Sequence, residues 1–223
     1  MKRTLKNNVS SICSDVILGL IFMVAAICLS VMVTLNFKPL FYHDISALNI
    51  VEESGLSEES IRKNYDILID YNNFWGADTL EFDGLAMSNE GRIHFEEVKA
   101  IFVKIEYAAI IFTIFFAISA VVKLRKKQAR FLLFGGIFSV VIPIVVGAFV
   151  ALNWNWAFIT FHHLAFDNDY WIFYPDKDPV ITMLPDEFFE HCAIMIIAMT
   201  LVLSIISVIV YFILKKRGKK NAG

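Results

Sequence analysis

Four long stretches without a charged side chain constrain this sequence more than any other feature. They hold 22, 16, 36 and 24 residues, and they lie between Asp15 and Lys38, Glu106 and Lys123, Arg130 and Asp167, and Glu190 and Lys215. A helix needs about 20 apolar residues to cross the ~30 Å hydrocarbon core of a bilayer. Because hydrophobic residues also make up 57% of the chain, the stretches predict a membrane protein rather than a water-soluble enzyme.

We predict an all-α membrane protein with four transmembrane helices, at residues 16–35, 101–122, 131–151 and 192–214. The second helix must begin before its uncharged stretch, which leaves Lys104 and Glu106 in its first turns. Glu106 must then be paired, solvated or functional. The first helix follows a basic N-terminus as a signal peptide would, but it is longer than a signal core and lacks a small-x-small cleavage site. We expect an uncleaved anchor.

The charged residues predict the orientation of these helices. Of the 20 Lys and Arg residues, 13 lie in the N-terminal segment 1–15, the loop 123–130 and the tail 215–223. The positive-inside rule places these three segments in the cytoplasm. Of the 22 acids, 20 lie in the segments 36–100 and 158–191. We therefore predict cytoplasmic N- and C-termini, an extracytoplasmic cap at 36–100 and a second extracytoplasmic segment at 152–191.

The cap segment carries one helix pattern and one strand pattern. Ser57 followed by two acids is typical of a helix N-cap, and Ile61, Tyr65, Leu68 and Ile69 then recur at helical spacing. The stretch Leu80–Gly84 alternates briefly, as a strand does, and ends in a turn residue. The two patterns together predict a small α+β cap.

The common hydrolase, zinc-protease, nucleotide and thiol-redox motifs do not occur in the sequence. The remaining chemistry-bearing residues are histidines near the outer ends of the helices. His94 stands about seven residues before the second transmembrane helix, and His162 and His163 stand about ten residues after the third. If both helices continue beyond the membrane, helical rise brings these histidines to similar heights. We expect no cofactor and no nucleic-acid partner.

Residues 168–171 put four polar or aromatic side chains next to His162. Acids and amides beside a histidine set its tautomer and basicity, and amide, phenol and indole donors stabilise a developing oxyanion. The four residues are candidates for substrate binding or oxyanion support: Asn168, Asp169, Tyr170 and Trp171. A metal site made of His94, His162 and Asp169 is chemically possible, but no spacing requires it. We interpret His43 and His191 as structural, and Asp176, Asp178 and Asp186 as a solvated acidic loop.

Two histidine motifs give the chain a recognisable resemblance. They are Phe161-His162-His163-Leu164-Ala165-Phe166, followed by Asn168-Asp169-Tyr170-Trp171 and Pro185-Asp186-Glu187-Phe188-Phe189, and His94-Phe95-Glu96-Glu97-Val98-Lys99. Together with the four-helix topology, these motifs resemble the bacterial integral membrane family that includes the lipoprotein intramolecular transacylase. The resemblance extends over nearly the whole chain.

The resemblance implies an acyltransferase in the bacterial cytoplasmic membrane, with its active site at the extracytoplasmic face. Its partners would be membrane lipid and lipoproteins whose N-terminal Cys carries a diacylglyceryl thioether. The enzyme would move the sn-2 acyl chain onto the α-amino group of the same Cys, giving the lyso-form. The resemblance implies His94 and His162 as the catalytic pair, without a metal, and His163 as the alternative because the doublet leaves the register open.

Two other functions are consistent with the sequence. A non-enzymatic membrane sensor or assembly subunit would bind a partner through its acidic cap and would not need the histidines. A metal-dependent lipid hydrolase would use His94, His162 and Asp169 and would release a fatty acid. The oligomeric state is not predicted by the sequence.

Overall fold

The computed structural model describes the backbone of residues 2–220 and the side chains of residues 10–218. Within that range all regular structure is helical, and no strand occurs. The helices are α1 (Lys2–Asn36), α2 (Lys38–Ala47), α3 (Ile50–Ser54), α4 (Glu58–Tyr71), α5 (Asn89–Arg125), α6 (Arg130–Leu152), α7 (Trp154–Ala165), a 3-10 helix (Pro179–Met183) and α8 (Asp186–Lys220).

Four of these helices, α1, α5, α6 and α8, are long and apolar enough to cross a membrane. The prediction of a four-helix membrane protein is therefore confirmed. Helix α5 has 37 residues, which corresponds to a length of roughly 55 Å and exceeds the thickness of the hydrocarbon core. Its first residues, 89–100, precede the predicted membrane span and carry His94.

The chain divides into two compact units, each built from several segments. The first unit comprises Met1–Val31, Tyr107–Ala148 and Ile196–Gly223. Its helices are joined by serine hydroxyls that donate to backbone carbonyls, as Ser207 does to Leu132 at 2.8 Å. Helices α6 and α8 approach closely at Gly136, where a Cβ atom would lie 2.4 Å from a methyl carbon of Val208. Small residues and hydroxyls at helix contacts are typical of membrane bundles.

The second unit comprises Met32–Glu106 and Phe149–Met195 and contains the larger buried core. Helix α4 begins after Ser57, whose hydroxyl accepts the backbone N–H of Ser60. The predicted amphipathic helix is thus confirmed, and its apolar positions are buried: Ile61, Tyr65, Leu68 and Ile69. The ring of Tyr65 stacks on Phe41 of α2 at 3.8 Å between centroids.

The prediction of an α+β cap is wrong, because Leu80–Gly84 forms no strand. The side-chain amide of Asn64 takes the place of a partner strand: its Nδ2 donates to the carbonyl of Asp83 at 3.1 Å, and its Oδ1 accepts the N–H of Asp83 at 2.7 Å. Gly84 then adopts a left-handed φ of 71° that turns the chain. The Asn64 amide therefore pairs with the backbone of Asp83 in the way that a neighbouring strand would.

The sequence required Glu106 to be paired, solvated or functional, and the structure gives its buried carboxyl group a hydrogen-bond partner. Its side chain is 1% exposed, and its Oε2 accepts the backbone N–H of Phe74 at 2.8 Å. The interaction joins the start of the loop that follows α4 to helix α5.

Candidate active site

The start of α5 is held in place by a buried acid. Asp178 is 3% exposed, and its two oxygens accept the backbone N–H and the hydroxyl of Ser88, each at 2.7 Å. The Ser88 hydroxyl in turn accepts the N–H of Gly91 at 2.9 Å, which caps the helix. The interpretation of Asp178 as part of a solvated loop is therefore wrong. Its carboxylate fixes the start of the helix that carries His94 in its second turn.

His94 lies in an aromatic cage and is 6% exposed. The centroid of its ring is 4.7 Å from that of Phe166 and 5.4 Å from that of Phe173, and both contacts are edge-to-face. Burial, and secondarily the nearby His162, lower the pKa of His94 from 6.5 to about 4. The side chain is therefore a neutral imidazole at physiological pH. Within the described part of the chain, its buried Nδ1 has no hydrogen-bond partner.

His162 is oriented by its own helix and by one tryptophan. Its Nδ1 lies 2.7 Å from the carbonyl oxygen of Phe158, one turn earlier in α7. A carbonyl only accepts, so Nδ1 carries the proton and the Nε2 lone pair of the neutral ring is free. The ring stacks on Trp171 at 4.6 Å with an interplanar angle of 30°.

The basicity of His162 is set by opposing effects. Burial lowers the pKa of His162 below its usual value, and the charge of His163 adds to that effect. The hydrogen bond to the Phe158 carbonyl and the carboxylate of Asp186 act in the opposite direction. His162 therefore stays largely neutral at physiological pH, while Asp186 favours its protonated form once a proton arrives.

His94 and His162 are 68 positions apart in the sequence, and the structure brings them together within the second unit. Their ring centroids are 6.2 Å apart, with an interplanar angle of 31°. His163 has an exposed side chain and contacts the edge of Trp171 at 5.6 Å. Of the two residues in the doublet, His162 is the one that forms a ring contact with His94.

The four candidates after the histidine doublet have different surroundings. The Asn168 amide donates to both carboxylate oxygens of Glu97, at 3.0 and 3.2 Å, and its Oδ1 accepts the N–H of Tyr170 at 3.0 Å. The side chains of Asp169 and Tyr170 are exposed. The Trp171 indole Nε1 is buried and, among the described residues, has no hydrogen-bond partner. Asn168 therefore ties this segment to α5, while Trp171 directly touches the histidine.

No group of three or more His, Cys, Asp or Glu side chains within the described residues is arranged to hold a metal ion. His94 and His162 lie together, but the exposed Asp169 does not join them in such a group. The proposed hydrolase site of His94, His162 and Asp169 is not assembled here as a ligand cluster.

Comparison with family models identifies the relatives of this chain. The model described as "Lipoprotein intramolecular transacylase Lit" matches residues 16–189. The chain belongs to the lipoprotein intramolecular transacylase family. It is therefore an acyltransferase and a multi-pass membrane protein, rather than the non-enzymatic sensor that the sequence alone left open.

Solved structures of a bacterial family member are similar to this transacylase over nearly their full length. The in meso structure of the membrane integral lipoprotein intramolecular transacylase Lit from Bacillus cereus is 35% identical, covers 96% of this chain and 99% of that chain, and gives a TM-score of 0.93. A form of that protein with a histidine-to-arginine mutation is 34% identical, covers 99% and 98% of the two chains, and gives a TM-score of 0.90. Comparison with curated proteins finds no match.

The surroundings of the two histidines include residues that the sequence did not indicate. Phe166 and Phe173 form the cage of His94, although neither carries reactive chemistry. Elsewhere in the second unit, the Nδ1 of His191, which was interpreted as structural, lies 2.8 Å from an oxygen of the buried Asp44. These contacts join residues far apart in sequence, so no local pattern signals them. Glu97 offered a weak signal, since it lies three residues after His94 in the same helix.

Proposed function

We propose that this transacylase moves the sn-2 acyl chain of a diacylglyceryl-modified N-terminal Cys onto the α-amino group of that same Cys. The product is a lipoprotein with an N-acyl group and an S-monoacylglyceryl group, the lyso-form. The observation that carries this proposal is the pair of neutral imidazoles, the buried His94 and the half-buried His162, with ring centroids 6.2 Å apart. No acyl-enzyme intermediate is needed, because nucleophile and ester belong to one molecule.

The first step is deprotonation of the amine by His162. An α-amino group has a pKa of about 8 and is largely protonated at neutral pH, so it must lose a proton before it attacks. The Nε2 lone pair of His162 is free to accept that proton because Nδ1 already donates to the Phe158 carbonyl. The new charge on the imidazolium is favoured by the carboxylate of Asp186.

The second step places charge on the ester carbonyl oxygen. The amine nitrogen forms a bond to the carbonyl carbon, and the carbonyl electron pair moves to oxygen. His94 is held neutral by its aromatic cage, so its N–H can donate a hydrogen bond to this oxyanion without carrying charge of its own. The Nε1–H of Trp171, which has no hydrogen-bond partner among the residues the structure describes, is a second donor at the same site.

The third step breaks the ester. The bond between the carbonyl carbon and the sn-2 glycerol oxygen breaks, and the His162 imidazolium returns its proton to that oxygen. One N–C bond replaces one O–C bond. The attacking nitrogen still carries two protons after the second step and gives one of them to water, so the ammonium substrate releases one proton overall. Asn168 acts as a positioning residue through its hydrogen bond to Glu97. Asp169 and Tyr170, which follow it in the chain, have exposed side chains that can contact the substrate.

The topology belongs to the same proposal. The histidine site is assigned to the extracytoplasmic side of the bacterial cytoplasmic membrane, and the segments 1–15, 123–130 and 215–223 to the cytoplasm. The basic residues of these three segments support the assignment. The spans 16–35, 101–122, 131–151 and 192–214 then enter the bilayer, while 36–100 and 152–191 remain outside, where the lipoprotein substrate is exposed.

The test is fragmentation mass spectrometry of the N-terminal lipopeptide of a reporter lipoprotein. It is isolated from cells that carry the protein, that lack it, or that carry His94→Ala, His162→Ala or His163→Ala. Acyl transfer within one molecule conserves mass, so only the fragments distinguish substrate from product.

In the wild type and in His163→Ala, we expect fragments with one acyl chain on the Cys amide and one on the glycerol. In His94→Ala and His162→Ala, we expect both acyl chains on the glycerol and a free amine. A lipopeptide that keeps a free amine in the presence of the wild-type protein contradicts the reaction. An active His162→Ala together with an inactive His163→Ala would show that His163, and not His162, is the base.

A further inference from the structure

A groove with a volume of about 480 Å³ lies in the first unit, away from the histidines. Its walls come from helices α1 and α5 and are mostly apolar, with Ile17 and Ile21 on one side and Phe115 and Ile118 on the other. Ile17 and Ile118 are 58% and 62% exposed, so the walls present open hydrocarbon surface. Such a surface in a membrane helix pair is suited to an acyl chain.

The groove is shallower than one leaflet. Helix α5 lines it from Phe115 to Val122, which at helical rise is a depth of roughly 10 Å. One leaflet contributes about half of the ~30 Å hydrocarbon core. The groove therefore accommodates the upper part of a lipid tail from a single leaflet.

One end of the groove is basic. Lys123, Lys126 and Gln128 line it where α5 ends and the following loop begins. The buried Asp15 is bound by Lys123 and Arg130, each at 2.8 Å, so one acid neutralises part of the charge of these two cations. Lys126 is exposed and, among the described residues, forms no ion pair. An uncompensated lysine thus stands where an apolar groove opens.

We propose that this groove binds one anionic phospholipid, with its phosphodiester headgroup at Lys126 and one acyl chain along Ile17 and Ile118. A positive rim above an apolar wall matches the two parts of such a lipid in charge and in polarity. The ligand is distinct from the lipoprotein substrate, and the site does not depend on the proposed reaction. Its role is to stabilise the contact between α1 and α5.

Native mass spectrometry of the full-length protein in detergent tests the site. The probes are dioleoylphosphatidylglycerol, which is anionic, and dioleoylphosphatidylcholine, which has no net charge, added in equal amounts. The variants are Lys126→Gln, which removes the rim charge, and Ile118→Trp, which fills the apolar wall. Lys216→Gln in the basic end of α8 is the matched control, because it removes the same charge outside the groove.

The wild type and Lys216→Gln are expected to retain phosphatidylglycerol in preference to phosphatidylcholine. Lys126→Gln should reduce that preference roughly fivefold, the effect of one lysine near an anionic headgroup. Ile118→Trp should lower the retention of both lipids.

Equal retention of the two lipids by the wild type, or an unchanged preference in Lys126→Gln, would overturn the proposal. Displacement of the lipid by inorganic phosphate would indicate a free-anion site instead. A lipid-free dimer whose formation Ile118→Trp prevents would show that a second copy of the chain covers the groove.

Discussion

The two histidines show how different surroundings change the protonation behaviour of identical side chains. His94 is enclosed by phenylalanines and stays neutral, whereas His162 has a fixed tautomer and a carboxylate that supports its charged form. The sequence indicated both residues as candidates because they lie at similar distances from two membrane spans. It could not identify the phenylalanine cage, since Phe166 and Phe173 approach His94 only through the tertiary fold.

The buried neutral state of His94 predicts an acid-sensitive stability. Its folded-state pKa of about 4 lies below the ordinary 6.5, so its contribution is fully present above pH 6.5 and is lost as the pH falls towards 4. The loss amounts to about 1.4 kcal/mol per pH unit in that window. His94→Phe keeps the aromatic packing and removes the titration. We expect this variant to be inactive, and we expect it to lose less stability than the wild type when the pH is lowered from 7.5 to 5.

Thermal unfolding in detergent at the two pH values measures the difference. His43→Phe serves as the control for loss of a histidine elsewhere in the same unit. Equal acid sensitivity of the wild type and His94→Phe would show that His94 does not titrate as described.

Stacking on Trp171 predicts a graded loss of activity. Aromatic pairs of this kind contribute about 0.5–1.5 kcal/mol, so Trp171→Leu should lower kcat roughly 2- to 13-fold as His162 loses its 4.6 Å ring contact. Trp171→Phe retains a ring but lacks the Nε1–H donor. Initial rates with a synthetic diacylglyceryl lipopeptide separate the two contributions. A Trp171→Leu enzyme with the kcat of the wild type would show that Trp171 does not contribute to the reaction.

At the scale of elements, the site depends on contacts that fix helix ends. Asp178 anchors the first turn of α5, and the Asn168–Glu97 hydrogen bonds join the segment after α7 to the same helix. Helix α4 was predictable because its cap and its apolar spacing are local. The supposed strand at Leu80–Gly84 was not, because the alternation cannot show that the Asn64 side chain, rather than another strand, binds this backbone.

Removal of the Glu97 carboxylate should disturb the position of the segment that carries Trp171. The hydrogen bonds from Asn168 are charge-assisted, and such bonds contribute about 1.5–3 kcal/mol. Glu97→Ala is expected to lower kcat roughly tenfold with little change in KM. Glu97→Gln keeps one acceptor, so its kcat should lie between those of the wild type and Glu97→Ala. Glu96→Ala, the exposed neighbour, is the matched control. The expectation fails if Glu97→Ala and Glu96→Ala have the same kcat.

At the scale of the whole molecule, the distribution of charge carries most of the information. The four uncharged stretches predicted the membrane helices, because a charged side chain in hydrocarbon is costly and its absence over about 20 residues is therefore diagnostic. The exact ends were less predictable. Helix α5 begins at Asn89, twelve residues before the predicted span, since nothing in the charge pattern prevents a helix from continuing into water.

The positive-inside assignment predicts that both termini lie in the cytoplasm. Single cysteines introduced at Gly218 and at the exposed Asp169, in a chain whose native cysteines are replaced by serine, can be labelled in intact cells with a membrane-impermeant maleimide. We expect labelling at position 169 only. Labelling at position 218 but not at 169 would show that the topology is the reverse of the predicted one, with the histidine site on the cytoplasmic side.

The central claim is the transfer of the sn-2 chain between two atoms of one lipopeptide. The most direct measurement uses the purified protein and a synthetic diacylglyceryl lipopeptide whose sn-2 chain alone is deuterated, mixed with an unlabelled lipopeptide of different peptide mass. Fragmentation mass spectrometry then locates the label. We predict deuterium on the Cys amide of the originally labelled peptide, with none on the other peptide. Deuterium that remains on the glycerol, appears on the second peptide or leaves as free fatty acid would contradict the account.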